Sequence, residues 1–417
     1  MGLFGIAMIA FSVAPIVNHL RGLQNKDYNL WYATGQLALH GGLIYPTDHR
    51  PFPFMYPPGC AALLAIAGLV GELPFIVLLL VANSAAWAGC ILLSVYLATG
   101  RVWGQHPLLY VGPTLVVIPF VHDMYLLGQP ALGLLLCLLG AFACLRTGRP
   151  WTAGGLVALA AAIKAYPILA LGLLVYRRQW KATIATVLAL VLLLLVLPMP
   201  FRGVHQSWAD LSTWTRGMVL KYDKDTIAQR PERSYSFKNQ SLIALANRLL
   251  RAVPANGEAK DGWRVNVADL DFRATNAAIV GVSLALCAFY LAVMPRYNLR
   301  TERTDAIEAG MLLLLIQAFN PLSFDYSFVW LIYPLTLAVA LIREAPAPSR
   351  QHSALIGGLA MAILVFGLSL PFRRVAQAYG NLLIADLVLL VLLGWQLYLA
   401  GRTLPRQGAK PSLDHSL

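Results

Sequence analysis

Residues 75 to 98 read FIVLLLVANSAAWAGCILLSVYLA, a run of 24 residues without a charged side chain. A helix of this length crosses the roughly 30 Å hydrocarbon core of a bilayer. Comparable apolar runs recur along the chain, separated by short basic or Pro/Gly-containing breaks. With 58% hydrophobic and 12% charged residues, the composition excludes an ordinary soluble domain. We therefore predict an all-α polytopic membrane protein, a single domain over 1–417 with about 12 transmembrane helices.

The charge of the loops predicts the orientation of the chain. Short clusters of arginine and lysine begin at Arg101 and recur as far as Lys410. The positive-inside rule places these clusters on the cytoplasmic side of a bacterial plasma membrane. The two longest loops on the other side are 21–73, a first periplasmic loop with two juxtamembrane helices, and 202–272. Arg373 and Arg374 fall in an outer loop, against the rule.

The sequence gives no sign of a metal or redox centre. All five cysteines lie within apolar runs, as small buried hydrophobes do. No His, Cys and Asp residues follow one another at metal-ligand spacing, so we expect no metal and no cofactor. The net charge of +13 comes partly from loops that face anionic lipid. We expect the lipid bilayer as a partner and no nucleic acid.

Asp27 is an acidic residue that follows the first apolar segment directly. From Leu30 to Gly41, apolar residues recur at three- to four-residue spacing, which predicts an amphipathic helix that starts at Asp27. Proline suits the first turn of a helix, so Pro58 predicts a second helix that ends near Leu69. Both helices would lie on the outer membrane surface. Two roles stay open for Asp27, a catalytic carboxylate and an ordinary N-cap.

Several short motifs follow one another in a distinctive order along the chain. In chain order they are Asp27-Tyr28, Tyr56-Pro57-Pro58, Gly128-Gln129, Lys164 with Pro167, and Asn239-Gln240-Ser241-Leu242 with Arg248. This order resembles that of family 87 glycosyltransferases, which are integral membrane mannosyltransferases of the C-type fold. The similarity spans most of the chain, and the resemblance implies that architecture here.

The resemblance also implies a reaction and its partners. A polyprenyl-phosphate sugar, with mannose expected, would be the donor, and a glycolipid or glycan on the extracytoplasmic side would be the acceptor. A hydroxyl is a poor nucleophile until its proton is being removed, so a carboxylate, with Asp27 as candidate, would act as general base. A single displacement inverts the anomeric carbon. The leaving phosphate needs cationic donors but no clamp for a diphosphate, so we expect metal independence.

Three basic residues are candidates for binding the donor phosphate: Lys164, Lys238 and Arg248. Lys164 ends an apolar helix, where a charge is costly unless it has a partner or lines a cavity. Snorkelling to the interface is the alternative explanation of Lys164. For Lys238 and Arg248 the alternative is a polar loop that ends in a capped helix, with Asn239 or Ser241 as the cap.

Candidates for sugar or acceptor binding come from four outer loops. They are Tyr28, His122, Asp123, Gln129, Asn239, Gln240 and Asp325. Each also has an ordinary explanation, because aromatic residues belong at membrane interfaces and polar residues belong in solvated loops and helix caps. Asp325 is in addition a second candidate for the catalytic base.

One position departs from the family pattern. Family members are expected to show histidine near an outer break before a late span, whereas this chain reads Leu322-Ser323-Phe324-Asp325-Tyr326. The departure bears on the donor sugar or on phosphate recognition. A transporter or polymerase of lipid-linked polysaccharide stays open as an alternative function, in which Asp27 would not be a base. The polar groups lie at outer span ends rather than at mid-membrane, which favours chemistry at the interface.

Overall fold

The chain folds into helices joined by short connections. The computed structural model describes residues 2–45, 54–220, 235–256 and 262–403, and none of these residues forms a strand. The all-helical prediction is confirmed for this part of the chain. Parts of both long outer loops, at 46–53, 221–234 and 257–261, lie outside the described residues, so the predicted loops 21–73 and 202–272 are described only in part.

We number the α-helices of the described residues in chain order. The first nine are α1 Gly2–Leu20, α2 Asp27–Leu39, α3 Pro58–Ala67, α4 Glu72–Thr99, α5 Leu108–Leu127, α6 Ala131–Arg146, α7 Pro150–Ile163, α8 Ala170–Tyr176 and α9 Trp180–Val191. The others are α10 Met199–Trp214, α11 Leu242–Leu250, α12 Phe272–Val293, α13 Glu302–Phe319, α14 Ile332–Glu344, α15 Arg350–Gly367, α16 Ser369–Ala378 and α17 Asn381–Thr403. Short 3-10 helices at Tyr166–Leu169 and Asp325–Leu331 precede α8 and α14.

Several helices are long and apolar enough to cross a membrane. In the described residues the single helices that qualify are Glu72–Thr99, Leu108–Leu127, Phe272–Val293, Asp325–Glu344 and Asn381–Ala400. Two bent pairs qualify as well: Trp180–Val196 with Met199–Val219, bent by 100°, and Arg350–Gly367 with Ser369–Ala378, bent by 85°. This gives five to seven candidate spans, and further apolar helices are shorter. The protein is a membrane protein, and the count of about 12 spans stays a prediction.

Two neighbouring helices define the two ends of the bundle. Helix α6 begins just after Gln129 and ends at Arg146, and α7 then returns to end just before Lys164. Gln129 and Lys164 therefore lie at one end, which we call the outer end, and Arg146 lies at the other, which we call the basic end. At the basic end Arg146 pairs with Glu302 and Arg177 pairs with the fully buried Glu308. These ion pairs join helices that are distant in sequence.

Small residues let two pairs of helices approach to backbone contact. A Cβ atom at Gly154 of α7 would lie 2.2 Å from the carbonyl oxygen of Ala182 in α9. A Cβ at Gly35 of α2 would lie 2.6 Å from the carbonyl oxygen of Leu64 in α3. Close helix packing in membranes commonly uses glycine in this way. The α2–α3 contact fixes the two helices of the first outer loop against each other, and their position at the membrane surface stays a prediction.

Candidate active site

Asp27 is the first residue of α2. The N-cap position belongs to Lys26, which has φ of 47° and ψ of −122° and makes no side-chain cap bond. The structure thus places Asp27 in the first turn of the helix, one residue after the cap. Its half-buried carboxylate accepts a hydrogen bond from Nε2 of Gln129. A negative charge in the first helical turn is also favoured by the helix dipole.

Gln129 joins Asp27 to the turn that precedes α3. It follows Gly128, which ends α5 with φ of 78° and lies so close to Tyr28 that a Cβ would come within 2.9 Å of the ring. The amide nitrogen of the buried Gln129 donates to Asp27, and its amide oxygen accepts from the Tyr56 hydroxyl at 3.0 Å. An amide with both ends bonded has one orientation. Gln129 therefore also fixes the direction of the Asp27 carboxylate.

Tyr56 is held from several sides. Its ring packs against that of Trp31 with a centroid separation of 4.6 Å. The backbone around it is tied down by Tyr45, which donates to the Tyr56 carbonyl at 2.6 Å, and by Trp214, which donates to the Met55 carbonyl at 3.1 Å. The first outer loop thus presents a fixed aromatic ring to the site rather than a loose interfacial side chain.

Lys164 lies in the break between α7 and the 3-10 helix that starts at Tyr166. Its ammonium nitrogen lies 5.4 Å from the ring centroid of Tyr56, 5.6 Å from that of Tyr166 and 5.3 Å from that of Tyr326. We call these three rings the tyrosine cage. Aromatic faces attract cations at such distances, more strongly when the cation is desolvated. The cage collects one ring from each of three segments that are distant in sequence.

The electrostatics of Lys164 link it to Asp27. Burial lowers the pKa of Lys164 from its ordinary value of 10.5 to about 8, because desolvation disfavours the charged ammonium. The negative charge of Asp27 opposes this shift. A carboxylate and an ammonium thus lie in the same part of the outer end, where the carboxylate favours the charged form of the ammonium.

A second group of polar side chains lies beside the tyrosine cage. Nη2 of Arg373 in α16 donates to Asp123 at 3.1 Å and also to Asp325, which in turn accepts from Nε2 of Gln377 at 3.0 Å. His122, which is exposed, lies 3.5 Å from Asp123. We call Asp123, Asp325, Arg373 and Gln377 the arginine cluster. It joins the end of α5, the start of the 3-10 helix before α14, and α16.

Tyr326 connects the tyrosine cage to the arginine cluster. It is the neighbour of Asp325 in sequence, and its ring faces Lys164. Its phenol interacts electrostatically with both Asp27 and Asp325. The two carboxylates that the sequence offers as candidate bases therefore both lie near this tyrosine.

The segment 235–256, which we call the supporting segment, is hydrogen-bonded to α16. Arg248 is fully buried and donates to backbone carbonyls of two separate segments. These include the carbonyl of Asn239, before α11, at 2.7 Å, and that of Ala378, at the end of α16, at 3.1 Å. Gln240 donates to the Gln377 carbonyl at 2.7 Å. Of the two cap candidates from the sequence, Asn239 and Ser241, it is Ser241 that caps α11 by accepting from the backbone of Ala244. These bonds fasten the segment to α16.

The structure brings some of the sequence-predicted residues together and separates others. The group at the outer end contains Asp27, Tyr28, His122, Asp123, Gln129, Lys164 and Asp325. Within this group the Tyr28 hydroxyl donates to the Tyr125 carbonyl at 2.7 Å. Asn239, Gln240 and Arg248 are buried in the supporting segment, and Lys238 is exposed.

Sequence reasoning missed Arg373, Gln377 and two rings of the tyrosine cage. Arg373 carried a signal, since it stood outside the positive-inside rule. An arginine on the outer side that pairs with two carboxylates has a local reason to be there. Tyr166 and Tyr326 carried no comparable signal, because aromatic residues are common at every membrane interface.

The donor set of the site is not that of a metal centre. Within the described ranges, no three His, Cys, Asp or Glu residues gather in a way that could hold a metal ion. The site instead offers carboxylates, an ammonium, a guanidinium, amides and phenols. Such groups bind hydroxyls and anions and transfer protons. Metal independence stays a prediction.

Comparison with known proteins gives one match. The model of glycosyltransferase family 87 matches residues 54–319, more than half of the chain. No curated protein and no solved structure matches. The matched range contains Gln129, Lys164 and the segment 235–256. Asp27 precedes this range, and three residues of the arginine cluster follow it: Asp325, Arg373 and Gln377. The chain belongs to glycosyltransferase family 87 and is a membrane glycosyltransferase.

Proposed function

We propose that this protein transfers a sugar, mannose in the first instance, from a polyprenyl phosphate to a glycolipid or glycan acceptor at the outer face of the plasma membrane. The observation that carries the proposal is that Gln129 bonds to both the Asp27 carboxylate and the Tyr56 hydroxyl, while the Tyr56 ring lies against the Lys164 ammonium. A transfer from a lipid phosphate needs a base for the incoming hydroxyl and a cation for the departing phosphate.

The proposed reaction is a single displacement at the anomeric carbon. The acceptor hydroxyl oxygen forms a bond to this carbon while the bond from the carbon to the phosphate oxygen breaks. The electron pair of the broken bond leaves with the lipid phosphate, and the hydroxyl proton passes to Asp27. Gln129 supports this role, because its hydrogen bond aims the carboxylate. The configuration at the anomeric carbon inverts.

Lys164 is the proposed cation for the departing phosphate. Its enclosure by the tyrosine cage keeps it partly away from water, where its attraction for an anion is strengthened. Lys238 is exposed and stays a second candidate for this contact. Arg248 donates to backbone carbonyls, so we assign it to holding α16 in place rather than to the phosphate. Neither assignment requires a metal.

The proposed side of the membrane follows from the two ends of the bundle. The site lies at the end opposite Arg146 and Arg177, and basic loops face the cytoplasm in polytopic proteins. The polyprenyl chain would then lie in the bilayer while the acceptor arrives from the water side. The family match favours this transferase over a transporter or polymerase of lipid-linked polysaccharide.

The decisive assay uses purified protein, polyprenyl-phosphate-mannose and a membrane glycolipid extract, with release of lipid phosphate as the readout. We expect Asp27→Asn to lower the rate about 10²- to 10⁴-fold, the usual contribution of a general base. Asp271→Asn is the matched control, because it removes the same charge while asparagine still caps α12. The wild-type rate should survive a chelator.

Three results would count against the proposal. Retention of most of the transfer activity in a folded Asp27→Asn variant would remove Asp27 as the base and leave Asp325 as the remaining carboxylate candidate. Loss of wild-type activity on chelation would overturn metal independence. If no lipid phosphate is released from any polyprenyl-phosphate sugar in a donor panel, the donor class is wrong.

A further inference from the structure

The arginine cluster has a composition suited to a neutral, polar ligand. It contains two carboxylates, one guanidinium and one amide, so its formal charge is negative. A phosphate would be repelled by this excess of negative charge. A sugar hydroxyl, which donates one hydrogen bond and accepts others, matches a site that offers acceptors and donors side by side.

We propose that Arg373 and Gln377 form, with Asp325 and Asp123, a subsite for the hydroxyl groups of a pyranose. The inference rests on the proposed transferase function and names residues that recognise the sugar in that reaction. The hydroxyls come from either the donor sugar or the acceptor, since both present the same chemistry. Asp27 and Lys164 act on the bonds that change, whereas this subsite orients a ring.

Arg373 has donors to offer. Only its Nη2 donates to described residues, namely Asp123 and Asp325, so Nε and Nη1 remain for a ligand. Half of its side chain is exposed, whereas Asp325 is nearly buried, with 51% and 7% of their side-chain surfaces accessible. The guanidinium is thus anchored on its buried side and open on its other side. A planar fork held in this way can bind two neighbouring hydroxyl oxygens.

Gln377 has an acceptor to offer. Its side chain is fully buried, its Nε2 donates to Asp325, and its Oε1 has no hydrogen-bond partner among the described residues. A buried polar atom without a partner costs free energy, and such atoms in native proteins call for an explanation. A ligand hydroxyl that donates to this oxygen would supply the missing bond. Gln377 lies one helical turn after Arg373, so both side chains face the same direction.

Helix α16, which carries both residues, is held by hydrogen bonds from the segment 235–256. The backbone carbonyl of Gln377 accepts hydrogen bonds from Gln240 at 2.7 Å and from Arg248 at 3.2 Å. The next carbonyl, that of Ala378, also accepts from Arg248. The subsite is therefore held in position before any ligand arrives, which lowers the entropic cost of binding.

Two neighbouring arginines of α16 provide a matched test. Arg374 is exposed like Arg373 and lies 6.0 Å from the ring of Phe237, away from the two carboxylates. We would measure the affinity of full-length Arg373→Gln and Arg374→Gln for polyprenyl-phosphate-mannose and for polyprenyl phosphate without a sugar. Arg373→Lys is a third variant, which keeps the charge and lacks the fork.

The two sources of hydroxyls give different results. If the subsite takes the donor sugar, Arg373→Gln should weaken binding of the mannosylated lipid about tenfold and leave the sugar-free lipid within about twofold, with Arg374→Gln unchanged. If it takes the acceptor, donor affinity stays constant and the acceptor KM rises by about the same factor in Arg373→Gln alone. In either case Arg373→Lys should show much of the same loss, because lysine keeps the charge but lacks the fork.

Other results would overturn the subsite. An equal loss of affinity for the sugar-free lipid would make Arg373 a phosphate ligand. If Arg373→Gln and Arg374→Gln have equal donor affinities and equal acceptor KM values, Arg373 has no role in recognition. The donor-binding comparison does not require turnover, so a failure of the transfer assay would count against the proposed function without deciding this inference.

Discussion

Lys164 shows how a single charge can be held at a membrane end while it is partly shielded from bulk water. Three aromatic faces surround its ammonium group, and burial brings its pKa down to about 8. A lysine that simply reached for the interface would have no reason to collect rings from three distant segments. The surroundings of Lys164 therefore favour a functional cation over snorkelling.

The pKa of Lys164 gives a prediction for the pH dependence of donor binding. An anionic lipid phosphate binds the protonated ammonium, so affinity is full below about pH 8 and falls as the pH rises through that value. Where only the protonated form binds, the fall approaches a factor of about ten per pH unit. Titration of the Kd for polyprenyl-phosphate-mannose, whose phosphodiester keeps one negative charge throughout, between about pH 6.5 and 9.5 measures it.

Two substitutions separate Lys164 from other titrating groups. In Lys164→Arg the charge persists across this range, so the alkaline loss of affinity should disappear. In Lys164→Gln affinity should be low at every pH. A wild-type Kd that stays constant up to pH 9.5, or an alkaline loss that survives in Lys164→Arg, would exclude Lys164 as the phosphate ligand.

At the scale of helices, α7 sets the position of Lys164. The helix ends at Ile163, and its packing on α9 depends on Gly154, which leaves no room for a Cβ. The neighbouring Gly155 has open space around it. The two adjacent glycines thus differ completely in what a methyl group would meet, although the sequence alone gives no reason to distinguish them.

We expect Gly154→Ala to destabilise the protein and Gly155→Ala to leave it intact. The added methyl at Gly154 would force α7 away from α9, with a cost of about 1–3 kcal/mol for overpacking. At Gly155 the same change should be neutral or stabilising by up to about 1 kcal/mol, since alanine favours helix. Thermal unfolding in detergent compares the two variants. Equal unfolding temperatures would argue against backbone contact between α7 and α9.

The sequence predicts individual helices better than it predicts which of them contact one another. The starts of α2 at Asp27 and of α3 at Pro58, and the cap at Ser241, follow from local patterns. The roles of Asn239, Gln240 and Arg248 do not, because their partners are backbone carbonyls of distant segments. No sequence spacing records that Lys164 meets Tyr326, since that contact depends on how the helices pack.

At the scale of the whole molecule, charged side chains gather at both ends of the bundle and have different roles there. Buried ion pairs such as Arg177 with Glu308 tie helices at the basic end, while the proposed chemistry lies at the outer end. The family match covers 54–319, but packing adds Asp27 from before this range and Arg373 from after it. The proposed site therefore includes residues from both flanks of the matched region.

Cysteine labelling tests the orientation of the whole chain. Arg101 belongs to the basic loops and Arg374 to the outer end, and both are exposed. In a background without native cysteines, Arg374→Cys should react with a membrane-impermeant maleimide in intact cells, and Arg101→Cys should react only after permeabilisation. The reverse pattern would place the site in the cytoplasm and remove the proposed acceptor class. Labelling of both in intact cells would show an unsealed membrane, for which a periplasmic marker is the control.

The contact of Asp325 with Arg373 also limits which substitutions these two positions can tolerate. The two residues are 48 positions apart and hold opposite charges together at the outer end. A descendant that exchanged Asp325 for a histidine would set two basic groups against each other and weaken the position of Arg373. Such a lineage would be under selection to replace the arginine as well. Replacement of Asp325 should therefore call for a compensating change at Arg373.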